Sequence, residues 1–461
     1  MTGALPSIPN LVVAQRHYFN SGATKSRASR LVHLKKLRAA LTKFEIPLLR
    51  ALHDDLGRSE TDSIIAELGI LRSEIDAARR ELCDWMEPQQ VVTPLLLQPG
   101  ASRIVPEPKG VVLVIAPWNY PLQLLIAPAI AAIAAGNCVI LKPSELAPRT
   151  ADVVAEMVKE FFPSEFFAVV LGAVNETQAL LQQKFDHIFF TGGEAVGKIV
   201  AKAAAEHLTP MTLELGGKSP AVIAPDANLD AVAKRLVWAK FFNAGQTCVA
   251  PDYVLLPENR QDEFIAAAKK WLSKLHGENP QQSPDLCRVI NDRHFQRLEA
   301  LLQGGEVVVG GKSDAKTRYF APTIIKNPKL HHLLMTEEIF GPILPLVTYQ
   351  NYAEAIAFVR ERPKPLALYG FSKRRRYWQD LVEQVSFGGG CWNDLMMHLA
   401  SEHLPFGGVG VSGYGSYHGY AGFATFSHFK SLYETTLFWG QNLRYPRHHP
   451  LKQRLIRWWY R

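Results

Sequence analysis

The chain has 461 residues, 47% hydrophobic and 20% charged. These near-average values exclude a disordered, collagen-like or coiled-coil protein, and the length accommodates about three domains. The net charge is +8, but Arg444, Arg447, Lys452, Arg454, Arg457 and Arg461 all follow the last acid, Glu434, so the body is near neutral and nucleic-acid binding is not expected. Five cysteines (Cys83, Cys138, Cys248, Cys287, Cys391) form no C-x-x-C pair and no Cys/His metal pattern. No metal site is expected, and a reducing cytoplasm fits best. The opening MTGALPSIPN carries no basic stretch leading into an apolar run, so no secretory signal is read there.

Leu31, Leu34, Leu37, Leu41 and Phe44 recur at helical spacing, as do Ile64, Leu68, Leu71, Ile75 and Leu82, and the first 87 residues are expected to be helical. Pro88 ends that region. Residues 91–108 read as an extended hairpin with Pro99-Gly100 at its turn. From Gly110 to Leu141 there are 32 residues without a charge, long enough for a membrane span. Pro117, Asn119, Pro121, Gln123, Pro128, Gly136 and Asn137 interrupt it, so it reads instead as a strand at 111–116, a small-residue helix at 124–135 and a strand at 138–142. Further strands are predicted at 168–172, 187–193, 211–217, 220–224, 252–257 and 341–349, separated mostly by helical segments. The alternation predicts an α/β protein with largely parallel sheets.

Two glycine motifs compete as phosphate cradles. Gly408-Val409-Gly410-Val411-Ser412-Gly413 matches G-x-G-x-x-G literally but lies in a glycine-dense stretch with no strand before it and no helix after it. GGEAVGK, residues 192–198, follows the strand HIFF and precedes a helical run. Its context suits a pyrophosphate at a helix N-terminus, or an ordinary strand-to-helix turn. Ile199 stands where a nucleoside triphosphatase needs Ser or Thr for magnesium, which argues against that chemistry.

Cys248, in FFNAGQTCVAPDY, would by itself read as a small core residue. Its company suggests more. Asn119 lies in a rigid loop, PWNYP, after a buried strand, and Glu214 ends a strand in LELGG. A thiol nucleophile, an amide donor and a carboxylate base make up an acyl-transfer set, although spacing alone does not bring them together.

The segments APWNYP (116–121), LKPSE (141–145), FFTGGEAVGK (189–198), LELGGKSP (213–220), NAGQTC (243–248), EEIFGP (337–342) and LPFGG (404–408) occur in this order, and with them the chain resembles the NAD(P)-dependent aldehyde dehydrogenases over nearly its whole length. NAGQTCVAPDY, LKPSE and LPFGGVG are most similar to the class 3 branch of fatty and aromatic aldehyde dehydrogenases. The resemblance implies a Rossmann-like NAD(P)-binding domain (1–91 and 107–211), an α/β catalytic domain (212–395), a small β oligomerisation arm (92–106 and 420–440) and a basic tail (441–461). It implies oxidation of aldehydes to carboxylic acids through a thiohemiacetal and a thioester, with Cys248 as nucleophile, Asn119 and the Cys248 N–H as oxyanion hole, and Glu214 as the base for water. Glu214 favours hydrolysis over the CoA-acylating alternative, and the set of retained residues argues against a non-catalytic scaffold.

For NAD or NADP, the resemblance assigns Lys142 and Glu145 to the adenosine ribose and Glu338 and Phe340 to the nicotinamide ribose. Gly192 and Gly197 mark the pyrophosphate turn, and Gly193, Val196, Trp118 and Leu215 are assigned to the cofactor as well. Gly193-Glu194 departs from the more usual Ser-Thr or Asn-Thr, losing a hydroxyl and adding an acid near the phosphates. Tyr120, Trp238, Phe242 and Phe406 would line an apolar aldehyde pocket if they converge. A homodimer is implied by the branch. In the tail, Leu451, Leu455 and Trp458 repeat at helical spacing among Lys452, Arg454, Arg457 and Arg461, the pattern of an interfacial helix for peripheral membrane contact, too short and charged to span.

Overall fold

The computed structural model describes residues 6–437, 445–446 and 449–459. Residues 438–440 of the expected arm, and Arg444, Arg447 and Arg461 of the tail, lie outside the described residues.

The N-terminal region is helical, with helices Ile8–Asn20, Arg27–Lys43, Glu45–Leu56 and Gly69–Met86. Leu34, Leu37, Leu41, Leu71, Ile75 and Leu82 are wholly buried, as their spacing predicts. Before the last of these helices, Ile64–Leu68 forms a π-turn. The uncharged stretch folds as strand Val111–Ile115, helix Gln123–Ala135 and strand Cys138–Lys142, every residue of the helix being buried.

Six strands form one sheet in the order Gly413–Tyr414, Met211–Glu214, His187–Thr191, Val111–Ile115, Cys138–Lys142, Phe167–Val169. All its pairs are parallel except the first, in which Gly413 lies opposite Glu214. Seven strands form a second sheet: Glu306–Val309, Thr323–Lys326, Ile343–Tyr349, Tyr253–Pro257, Pro220–Ile223, Ala367–Phe371 and Gly389–Trp392. This sheet is parallel apart from its first edge strand. The α/β architecture with helices covering mostly parallel sheets is therefore present; Asn119 follows and Glu214 ends a strand of the first sheet, whereas Cys248 and Glu338 precede strands Tyr253–Pro257 and Ile343–Tyr349 of the second.

The hairpin differs in detail from expectation. Gln89–Val91 pairs with Ala101–Pro108, and Ser427–Glu434 then pairs along the other edge of Ala101–Pro108 to make a three-stranded antiparallel sheet. The connection is not a tight turn at Pro99-Gly100 but a nine-residue loop, 92–100, containing a helical turn at Leu95–Leu97. Gly100 serves packing instead, because a side-chain carbon there would lie 2.3 Å from the Tyr433 ring. Strands Ala367–Phe371 and Gly389–Trp392 went unpredicted. The second is rich in glycine and half-buried at a sheet edge, where little hydrophobic alternation is required.

Candidate active site

The loop after strand Val111–Ile115 carries Asn119 into the interior. Its side-chain N–H donates to the Gln246 carbonyl at 3.0 Å, and its own carbonyl accepts from the Asn243 amide at 3.0 Å. The sequence NAGQ then bends the chain sharply, with Asn243, Ala244 and Gly245 all left-handed at φ 51°, 52° and 72°. Such a run stores strain and persists only where neighbours hold it. Gln246 does so: its amide donates to the carbonyls of Asn243 (3.1 Å) and Arg288 (3.0 Å) and accepts from the Ile290 N–H (3.0 Å). Gly245 is obligatory, since a Cβ would fall 2.2 Å from the Gly341 carbonyl oxygen. One residue before Cys248, the Thr247 hydroxyl meets the buried Tyr120 hydroxyl at 2.6 Å.

Two carboxylates act on the Cys248 thiol. Glu214, at the end of its strand, is 2% exposed, and neither of its oxygens has a hydrogen-bond partner. Burial pushes its carboxyl well above the ordinary range. Glu338 is raised to about 8, by burial first and by Asp252 second. It lies over Gly216, where a Cβ would meet its carboxylate at 1.9 Å. The thiol itself is pushed up to about 12 by burial and then by the charges of Glu338 and Glu214, so at neutral pH it is a neutral S–H. Cys248, Asn119, Glu214 and Glu338 thus come together from four separate segments.

At the other end of the site the groups are exposed or paired. Lys142 is buried, its amine donating to the Pro143 carbonyl at 2.7 Å and standing 4.0 Å from the exposed Glu145. Helix Glu194–Glu206 starts at Gly193 without a side-chain cap, and the space above Gly193 is open. Gly192 and Gly197 serve packing: side chains there would strike Phe190 (2.6 Å) and Leu215 (2.9 Å), so these glycines let the helix sit close on the sheet. Glu194 pairs outward with Lys198 at 2.6 Å, which answers its charge and turns it along the helix. Val196 is exposed and Leu215 buried. Trp118 packs edge-on against Phe340, with ring centroids 5.3 Å apart.

The expected aldehyde-lining residues converge only in part. Tyr120 adjoins Thr247, and half-buried Phe242 and Trp238 lie 5.7 Å ring to ring just before the NAGQ turn. Phe406 instead packs behind Tyr417, at 5.7 Å, and His418, at 5.9 Å. Tyr417 lies within the influence of the thiol: it is buried, hydrogen-bonded to the Gln123 side chain and subject to the charges of Glu214 and Cys248. Sequence reading missed it, along with His294, whose ring lies 5.3 Å from Trp118, and Asp252, which accepts from the Ile339 N–H at 3.0 Å and pairs with Lys218. Asp252 and Lys218 sit inside the recognised motifs, whereas nothing local marked Tyr417 or His294. The literal G-x-G-x-x-G stretch lies beside Glu214, with Leu215 donating to the Ser412 carbonyl at 3.1 Å, and opens no long helix.

A strained thiol loop subject to the charges of two buried carboxylates, in a chain that also offers an uncapped helix N-terminus after a strand, is the class of site expected of a dinucleotide-dependent thiol enzyme. Residues 9–432 match the aldehyde dehydrogenase family. The chain is 48% identical to 4,4'-diaponeurosporen-aldehyde dehydrogenase of Staphylococcus aureus over 90% of this chain and 91% of that one. It is 45% identical to human aldehyde dehydrogenase family 3 member B1, covering 96% and 95%. Among solved structures, a substrate-bound Staphylococcus aureus AldH superposes with a TM-score of 0.96 at 44% identity, covering 99% of this chain and all of that one. An indole-3-acetaldehyde dehydrogenase complexed with NAD+ superposes at 0.85, with 25% identity and coverage of 93% and 89%. The chain belongs to the aldehyde dehydrogenase family, beside its class 3 members. It oxidises aldehydes to carboxylic acids with NAD or NADP by way of an enzyme thioester.

Proposed function

We propose that Cys248 is the nucleophile, that Asn119 and the Cys248 N–H form the oxyanion hole, and that Glu214 activates the deacylating water. The observation that carries this reading is the pair of buried, unpartnered Glu214 oxygens acting on the Cys248 thiol. An Asn side chain has two N–H bonds. Gln246 takes one, which leaves the other for the alkoxide formed when the Cys248 sulfur adds to the aldehyde carbon, the S–H proton passing to the Glu214 carboxylate and on to solvent before the hydrolytic step. Collapse of that thiohemiacetal breaks the C–H bond, its electron pair leaving as hydride, and gives the Cys248 thioester. When bound, the oxidised nicotinamide supplies the hydride acceptor and a positive ring. Water then adds to the thioester while Glu214 takes its proton, and the acid departs as the sulfur is released.

The residues present fit the dinucleotide. Glu338 keeps one carboxylate oxygen buried and without a partner, suited to ribose hydroxyls, with Phe340 and Trp118 beside it. Gly193 leaves room over free helix N–H groups for a pyrophosphate. Lys142 and Glu145 would hold the adenosine ribose. Glu214→Gln is expected to release about one equivalent of NADH and then stall, with the acyl group on the Cys248 peptide by mass spectrometry. Steady turnover without that adduct would transfer the role of base to another group, Glu338 first.

The favoured aldehydes are apolar, medium- or long-chain or aromatic, because Tyr120, Trp238 and Phe242 offer ring surface ahead of the thiol. A homodimer is proposed because Val92 and Leu95 stand 92% and 71% exposed on the three-stranded arm. A cytoplasmic enzyme is proposed from the cysteine pattern, and peripheral membrane contact from the tail. In helix Pro450–Trp459, Leu451, Leu455 and Trp458 are exposed along one side among Lys452, Arg454 and Arg457. Among the described residues no helix is long and apolar enough to cross a membrane; the reading of surface attachment rests on the exposed apolar side chains set among cations in this tail helix. The full chain should co-sediment with anionic liposomes at low salt and less so at high salt, and a chain ending at Tyr445 should not. Equal binding by both would eliminate the tail as the anchor.

A further inference from the structure

Arg58 and Glu67 form an ion pair with no exposed side-chain surface at either partner. Arg58 spends one guanidinium nitrogen on Glu67 and the other on the backbone carbonyl of Asn119, and its plane lies over the Tyr120 ring, 4.6 Å from the centroid. Glu67 spends its second oxygen on the N–H groups of Leu122 (2.8 Å) and Gln123 (2.9 Å). The loop that presents Asn119 is thereby gripped at Asn119 itself and at its junction with the following helix by one net-neutral pair. Glu67 reaches that position from the π-turn Ile64–Leu68, where an extra residue in the helix turns it inward.

The grip extends to the thiol loop. The Asn119 carbonyl that accepts from Arg58 also accepts from Asn243, the first left-handed residue before Cys248. Tyr120, under the guanidinium, touches Thr247. A purely structural ion pair needs neither contact. We propose that the Arg58–Glu67 pair is a positioning element for the reacting end of the site, holding the Asn119 backbone and the Tyr120 ring against the Cys248 loop so that the Asn119 amide meets the alkoxide. The inference rests on the role given above to Asn119. Neither side chain of the pair touches the reacting atoms.

Such a role shows as a loss of turnover that passes through Asn119. Arg58→Lys keeps the charge of the pair but cannot serve Glu67, the Asn119 carbonyl and the Tyr120 face together. Glu67→Gln keeps the shape and removes the charge. In the full-length enzyme each is expected to lower kcat about tenfold or more while leaving the KM for NAD within about twofold. Asn119→Ala alone should cost about 10²- to 10³-fold in kcat. Added to Asn119→Ala, either pair variant should cost less than about threefold more, because its effect has already been removed. A kcat loss that persists in full in the Asn119→Ala background, or a folded Arg58→Lys enzyme within twofold of the parent kcat, would overturn the proposal. If Glu67→Gln does not fold, Arg58→Lys carries the test, since an uncompensated buried charge arises only in the former. Full activity of Asn119→Ala by itself would overturn instead the role assigned to Asn119, and with it this route of action.

Discussion

The two ends of the site are built on opposite physical terms. Around Cys248, charged and polar groups are buried and left partly unpaired: Glu214 lacks any hydrogen bond, and Glu338 and Asn119 each keep one oxygen free. Around Lys142 and Gly193, groups are either paired, as Glu194 is with Lys198, or open to solvent, as Glu145 is. An unpaired buried carboxylate costs stability and is retained where its raised proton affinity is useful, whereas a surface that must take up and release a large ligand gains by staying hydrated. Chemistry and binding should therefore separate cleanly on mutation.

The largest expected effect is at the buried end. Cys248→Ala should abolish oxidation while NAD binding, followed by fluorescence titration, and the melting temperature stay close to the parent values; substantial residual turnover would break the distinction at its centre. Next comes a pH effect. With the thiol raised to about 12, the thiolate fraction below that value rises as protons are removed, by about tenfold per pH unit. In the enzyme without dinucleotide, alkylation of Cys248 by iodoacetamide should therefore accelerate roughly a hundredfold from pH 7 to pH 9, read on the Cys248 peptide by mass spectrometry. A plateau by pH 8 would mean that the thiol is far less desolvated than its surroundings dictate. The smallest effect belongs to the exposed end. Glu145, 46% exposed beside Lys142, should repel a 2′-phosphate by about 1 kcal/mol across solvent, so Glu145→Gln should raise kcat/KM for NADP relative to NAD about fivefold. A shift above a hundredfold would place that carboxylate in a buried contact.

Much of the catalytic end was legible because its signals are local. A thiol among small and polar residues, an amide in a rigid loop and a carboxylate at a strand end announce themselves as types, whereas the left-handed run through Asn243, Ala244 and Gly245 went unpredicted from NAGQTC. The glycines show the limit of that logic. Gly192, Gly193 and Gly197 look alike in the motif, yet only Gly193 faces open space, while the other two make room for Phe190 and Leu215. Phe406 suggests a pocket residue only by being aromatic, and in the structure its ring packs on Tyr417.

The amino-acid sequence by itself determined the α/β alternation, the family and the chemistry-bearing residues, because hydrophobic period, turn composition and reactive side-chain type are properties of short segments. Only the tertiary structure decided that Glu214 and Glu338 share the thiol's surroundings, that Tyr417 reaches them from more than 150 residues beyond Cys248, and that Arg58 and Glu67 close on the loop of Asn119. Those relations join segments far apart in the chain, and their strength comes from exclusion of water, a condition that exists only once both sheets and the helical layer have packed.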